Sequence, residues 1–516
     1  MRYNSTRSLR RTLSVVLLAL AILLPAMAEA KIDGLTCTAS PCTFDLSAKT
    51  GTIVAGDGNS IFMWGYGNGN GPMQYTGPTL IVPQNALVTV NLTNRLSVPT
   101  SIVFPGQSGV TAVGGIPGAL TGEAAPSGGT VTYTFTASRP GTFMYHSGTK
   151  PDIQVEMGLI GALIVRPVDA LGAVIPNQAY ASPASAYNYE YLFLLTDMDI
   201  RVHDRIAKGR LDEVDTAAFF PVYWFINGRT LPDTLAAANA VYLPTQPYNA
   251  LPRIRPGDRA LYRIIGGGRD GHPHHAHGNH HVIIAKDATL LESVPGSGVV
   301  DMAQPVFTTA IQPGETADAI MEWTGANMGW DIYGHAADVD NIPVNTFPGP
   351  GDTDWNGNGI IDAGDVDNPP LGFSTGEPPG VEDVDVNGNG LFDLADIDVT
   401  PANTFPGLED IDWNGNGILD PCPAAIPGED LASHCIPFPV DLPAQQALTF
   451  GQFYSGSPFL GASGSLPPGQ GGFNANGGYF FMYHSHSEKE LTNNDIFPGG
   501  LATFTIVEPP TVTDIE

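Results

Sequence analysis

The sequence predicts an all-β chain, and three observations carry that expectation. Of 516 residues, 61 are Gly and 45 are Pro, a composition that favours many turns over long helices. Short alternating β-rich runs recur at 79–82, 87–92 and 130–135, and again at 189–195, 260–265, 281–284 and 319–323, each bounded by Gly, Pro or Asn. The chain also repeats itself: Phe143-Met144-Tyr145-His146-Ser147 returns as Phe481-Met482-Tyr483-His484-Ser485, each followed by Gly-Leu and a β-rich run (158–165 and 500–507). Two copies of one β-sandwich domain is the economical reading.

The elements follow in order. Arg2, Arg7, Arg10 and Arg11 precede an apolar run at 13–24, and Ala28-Glu29-Ala30 offers small residues for cleavage, so residues 1–30 read as a signal peptide. The run is shorter than the ~20 residues that span a bilayer. This predicts a secreted, periplasmic or cell-surface protein, and therefore oxidised cysteines. Cys37, Cys42, Cys422 and Cys435 allow three pairings, of which local closure of 37 with 42 and 422 with 435 is the simplest. The first domain is expected over 31–168 and a linker over 169–188. The second domain spans 189–337 and 431–508, interrupted by an insert at 338–430 and followed by a tail at 509–516.

Charge narrows the partners. With 52 acidic against 22 basic residues the net charge is −30, which excludes a protein that works by neutralising phosphates, so nucleic acid is not the partner. The insert contains neither Lys nor Arg and repeats with a ligand-like spacing. Asp354, Asn356 and Asn358, followed by a Gly, occupy loop positions one, three, five and six; Asp362 and Asp365 take nine and twelve. A second loop places Asp385, Asn387, Asn389, Asp393 and Asp396 the same way. A third has Asp412, Asn414, Asn416 and Asp420 but lacks its twelfth ligand. Oxygen donors at odd positions wrap one side of a Ca²⁺ ion, and Gly permits the sharp turn. These loops resemble dockerin and thrombospondin type-3 calcium repeats, which implies structural calcium.

Six of the twelve histidines lie between His272 and His281. In an extended strand His275 and His277 share one face, and so do His484 and His486. Two such pairs can converge on a transition metal, since neutral imidazole suits copper or zinc. Here a resemblance becomes specific. His272-Pro273-His274-His275-Ala276-His277-Gly278 resembles the His-Pro-x-His-x-His-Gly signature of multicopper oxidases, and His484-Ser485-His486 stands where that family has His-Cys-His. Gly77 to Val82, Asn94-Arg95-Leu96, Tyr145-His146-Ser147 and Gly158-Leu159 resemble its amino-terminal domain. The resemblance implies two cupredoxin-like Greek-key β-sandwiches and copper as cofactor. It implies His272 as an orphan type-1 ligand, His275 as a type-2 ligand, and His146, His277, His484 and His486 as type-3 ligands, at the interface of the two domains.

The departures shape the functional expectation. Val103-Phe104-Pro105-Gly106 stands where the family has His-x-His-Gly, Gly148 replaces another ligand, and the histidine expected after His486 falls near Glu490. Ser485 replaces the thiolate, and a hydroxyl neither ionises near neutrality nor gives a covalent path for electrons. Glu488 and Glu490 read as solvated charges ahead of hydrogen-bond partners to the site. One reading is an exported copper-binding oxidoreductase of altered activity, acting on a small molecule or metal ion. The other is a non-enzymatic extracellular or cell-surface scaffold, stabilised by calcium and binding a protein partner. Two-domain members of the family form trimers, which implies a homo-oligomer with His ligands at subunit contacts.

Overall fold

A computed structural model describes residues 32–323, apart from 256 and 279, and 479–508. The signal peptide, the calcium-type loops, Cys422 and Cys435, and the tail lie outside the described residues. Within them the chain is all-β, as expected: four sheets make two sandwiches stacked face to face. Cys37 and Cys42 form a disulfide with Cα atoms 5.7 Å apart.

In the first sandwich the outer sheet contains Cys42–Val54, Ser60–Asn68, Leu87–Asn94, Thr130–Thr136 and Thr111–Gly114. Its strand Leu87–Asn94 alternates strictly between exposed or half-buried and buried residues, because only one face meets a core. The inner sheet, built on Gly77–Pro83, Ile160–Arg166 and Gly141–His146, is covered on both faces. Leu163 and Val165 point into the first core, while Ile160, Ala162 and Ile164 enter a core shared with the second sandwich. The facing sheet of the second sandwich mirrors this. From Tyr189–Met198, Phe193 and Leu195 enter its own core and Leu192, Leu194 and Met198 enter the shared one. Continuous apolar runs such as Leu80-Ile81-Val82 and Leu192-Phe193-Leu194-Leu195 thus mark strands buried on two sides.

The fourth sheet carries the site. It orders Arg253–Ile254, Ala502–Val507, Tyr479–Ser485, His272–Ala276 and Thr308–Ile311. The Phe-Met-Tyr-His-Ser repeat is a structural repeat: Gly141–His146 runs antiparallel to Ile160–Arg166, as Tyr479–Ser485 does to Ala502–Val507.

The strand Ser60–Asn68 and the helix Ile200–Ala207 are among the elements the sequence pattern left unmarked. Ser60–Asn68 contains Gly65 and Gly67. Here they let segment 72–74 cross the strand, since a Cβ at Gly65 or Gly67 would sit 2.6 Å from the Gln74 carbonyl oxygen or 2.3 Å from that of Pro72. The helix Ile200–Ala207 is started by Asp199, whose carboxylate accepts from the Arg201 N–H.

A buried ionic network crosses between the sandwiches. Glu190 takes both Arg166 guanidinium nitrogens at 2.5 Å and Arg263 Nε at 2.5 Å. Arg263 Nη1 donates to Thr142 at 2.9 Å, and Asp318 accepts from Thr142 and, at 2.5 Å, from Tyr180. Burial raises the cost of the Glu190 charge, but the two guanidinium groups outweigh it and hold its carboxyl at about 2. Because that value is depressed, the group contributes stability that is complete above the unfolded value of 4.5 and is lost as pH falls towards 2. Glu190→Gln leaves Arg263 buried against a neutral partner and is expected to cost about 3–5 kcal/mol. Chemical denaturation should show this loss near pH 7, with the gap to wild type closing between pH 4.5 and 2.

Candidate metal centre

Strand pairing assembles the histidines. His272–Ala276 and Tyr479–Ser485 are antiparallel, with His275 opposite His484 and His274 opposite Ser485. The side-chain period of two then sends His275, His277, His484 and His486 to one side. Ring centroids lie 5.1 Å apart for His275 and His277, 4.7 Å for His275 and His486, 4.9 Å for His277 and His484, and 5.6 Å for His484 and His486. The closest approach is between His277 Nε2 and His484 Nε2, at 3.0 Å.

The protons on His484 are fixed by its neighbour. Its Nδ1 lies 2.6 Å from the Ser485 carbonyl oxygen, which only accepts, so Nδ1 carries the hydrogen and the neutral ring turns an Nε2 lone pair toward His277. His275 has Nδ1 2.6 Å from the Thr308 hydroxyl. Burial, reinforced by the neighbouring imidazoles His486 and His484, pushes His275 down to about 4. Burial also lowers His484, although the Ser485 carbonyl opposes the shift. Both rings are therefore neutral near pH 7, the state that ligates metal. Among the described residues no three His, Cys, Asp or Glu side chains close tightly on one point, so the arrangement is a close Nε2 pair flanked by two further rings.

The alternation also explains the histidines that stand apart. His274 points to the opposite face, into the core, where it stacks on Tyr483 with centroids 3.8 Å apart. His281 is buried with Nε2 2.5 Å from the Thr309 hydroxyl, and His280 stacks on Phe307. His146 repeats the His484 arrangement, with Nδ1 donating to the Ser147 carbonyl at 2.9 Å, but sits in the inner sheet of the first sandwich. It makes no ring contact or hydrogen bond with the four. The structure thus brings together four of the six expected copper ligands and leaves His146 and His272 elsewhere.

His272 occupies a separate buried position, one residue back from the alternating face. Its Nδ1 is 3.0 Å from Glu490 Oε2, and its Nε2 is 3.8 Å from Asp197 Oδ2. Burial works against its charge, but the Glu490 hydrogen bond and the two carboxylates hold its value above the ordinary imidazole range. The expectation that Glu490 is a solvated charge is corrected: its side chain is 7% exposed, whereas that of Glu488 is 86% exposed. Glu490 is drawn inward because the turn Glu488–Leu491 folds back after the site strand and lays it against His272.

Sequence reasoning missed Asp197 and His203. Asp197 accepts from the backbone N–H groups of Arg269 and Asp270 at 3.0 and 2.6 Å. His203 donates from Nδ1 to the Phe62 carbonyl at 2.7 Å, with Nε2 3.6 Å from Glu156. Neither lies in a motif; an Asp inside the apolar run 189–198 was the only signal.

Comparison with known proteins finds similarity in the first sandwich. Residues 59–170 match the family model described as multicopper oxidase. The iron transport multicopper oxidase fetC of Epichloe festucae (strain E2368) is 39% identical over 101 residues, which is 19% of this chain and 15% of that protein. The chain therefore matches a small part of that relative's length. The blue copper oxidase of Nitrosomonas europaea aligns over 90% of this chain and 85% of its own, at 18% identity and a TM-score of 0.47. The laccase of Botrytis aclada aligns over 56% of this chain and 48% of its own, at 24% identity and a TM-score of 0.38. The residues that match the multicopper oxidase family model, 59–170, make up most of the first sandwich.

Proposed function

We propose that this chain is an exported copper-binding oxidoreductase of multicopper oxidase type whose activity is altered by the loss of the type-1 thiolate. The observation that carries the reading is the His277–His484 pair, with two Nε2 atoms 3.0 Å apart and the far nitrogen of His484 already committed to a carbonyl. Two imidazole nitrogens pointed at each other, with His275 and His486 beside them, fit copper by donor chemistry. When bound there, copper would supply a centre that cycles between two oxidation states. The protein's own part is to keep the His275 and His484 rings neutral by burial, hold them through Thr308 and Ser485, and leave the His486 side open, where that side chain is 54% exposed. A small reducing molecule or metal ion reaching that side is the proposed substrate class.

The type-1 copper does not fit. Ser485 is fully buried, and its Oγ accepts from the Ser487 N–H at 3.1 Å, a hydroxyl where a thiolate is needed. His146 lies on another sheet, and the assembly proposed is a homo-oligomer, such as the trimer, in which His146 of a second copy joins the copper site. Export and calcium binding by the three insert loops complete the proposal; they rest on the sequence patterns. Among the described residues no helix is long and apolar enough to cross a membrane.

Purified with copper, the wild type is expected to hold near-stoichiometric metal with a type-2-like paramagnetic spectrum and no intense blue band. His484→Ala/His486→Ala should lose most of it. Equal copper in both would remove the pair from the site, and a copper-free wild type would leave the non-enzymatic scaffold reading. Thr308→Val removes the hydroxyl beside His275 and should weaken copper about 10–100-fold in competition with a chelator. For calcium, titration calorimetry on the full chain should give heat that falls in Asp354→Ala/Asp385→Ala. Unchanged heat would exclude the loops as the binding site.

A further inference from the structure

We propose that the position where a multicopper oxidase holds its electron-entry copper is here an internal ion pair, His272 with Glu490, that excludes metal. The inference extends the copper reading above to a second position on the same sheet. It begins with the donors of His272. A carboxylate faces each ring nitrogen, Glu490 Oε2 at 3.0 Å from Nδ1 and Asp197 Oδ2 at 3.8 Å from Nε2. Glu490 accepts from Nδ1, so that nitrogen has no lone pair left for a metal, and Nε2, which makes no hydrogen bond, is buried facing the Asp197 carboxylate. The side chain of His272 is fully buried, and the carboxylates beside it favour its charged form against that burial.

Both partners are held by backbone. Asp197 is fixed by the N–H groups of Arg269 and Asp270. Glu490 is anchored through its carbonyl, which accepts from the Leu501 N–H at 2.8 Å. Gly500, at φ +62°, makes this approach possible, since a Cβ there would lie 2.0 Å from that carbonyl oxygen. The third potential donor, Ser485, lies opposite His274 and has its hydroxyl bonded by the Ser487 N–H. What remains is a strut tying three elements: the strand Tyr189–Met198, the strand His272–Ala276 and the turn after His486. It fixes the direction in which the chain leaves the metal centre, and it supplies no route for electrons.

The test uses the full chain titrated with Cu(II) and read by visible absorption. Wild type and Ser485→Cys are expected to show no intense blue thiolate band, because Glu490 still occupies His272. Ser485→Cys/Glu490→His should gain the band. A band in Ser485→Cys alone would overturn the proposal. So would Glu490→Gln losing one equivalent of bound copper, zinc or manganese by elemental analysis, since the carboxylate would then be a ligand. Independently of how the double variant folds, nitrogen NMR of histidine-labelled wild type should show one ring with two protonated nitrogens, absent in His272→Gln. A His272 ring with one bare nitrogen would refute the ion pair. Copper at the His277–His484 pair is read separately from its type-2-like signal, so failure of one reading does not mimic failure of the other.

Discussion

One register holds the candidate site together: His275 paired opposite His484 across two antiparallel strands. The sequence separation between His277 and His484, whose Nε2 atoms meet at 3.0 Å, is 207 residues, so no local preference brings them together. Because side chains alternate with a period of two, a slip of the strand His272–Ala276 by one residue would send His275 and His277 into the core and bring His274 out, away from His484 and His486. The register is protected by the packing behind it. Phe193, Tyr262 and Tyr483 pack edge-to-face or tilted around His274, with centroids 5.1 to 5.4 Å apart among the three rings. Displacing this aromatic cluster would forfeit several kcal/mol of buried apolar surface, on the order of 1.5–3 for each side chain.

The sheets that face each other between the sandwiches set the rest of the frame. Each is apolar on both sides, so the two domains share a core and do not hang on a linker. Within that apolar contact the Arg166, Glu190, Arg263 and Asp318 network supplies direction. Apolar surfaces slide at little cost, whereas guanidinium and carboxylate groups buried together must meet in one arrangement. Segment 169–188, read from sequence as a linker, is tied into the same arrangement by Tyr180, which is buried and donates to Asp318.

The chemistry of the site turns on a contrast between two histidine positions on one strand. His275 sits among other imidazoles and a hydroxyl, and burial makes it neutral and available. Three residues earlier His272 sits between carboxylates, which shift it toward its charged form, and its Nδ1 is engaged by Glu490. The same burial therefore has opposite outcomes, decided by the neighbours that the fold supplies. This separates a place fit for a metal from one that has been filled by protein.

The sequence by itself determined the β class, the internal repeat and which histidines can share a face. Alternation and the Phe-Met-Tyr-His-Ser duplication are local features, written in residues next to one another. It also marked the missing thiolate at Ser485, since a single residue type decides that chemistry. Only the tertiary structure decided that His146 stands apart from the four, that Glu490 turns inward to His272, and that Asp197 lies beside them. Those outcomes depend on which sheet a strand joins and how a turn folds back, and contacts between residues hundreds of positions apart leave no spacing to read.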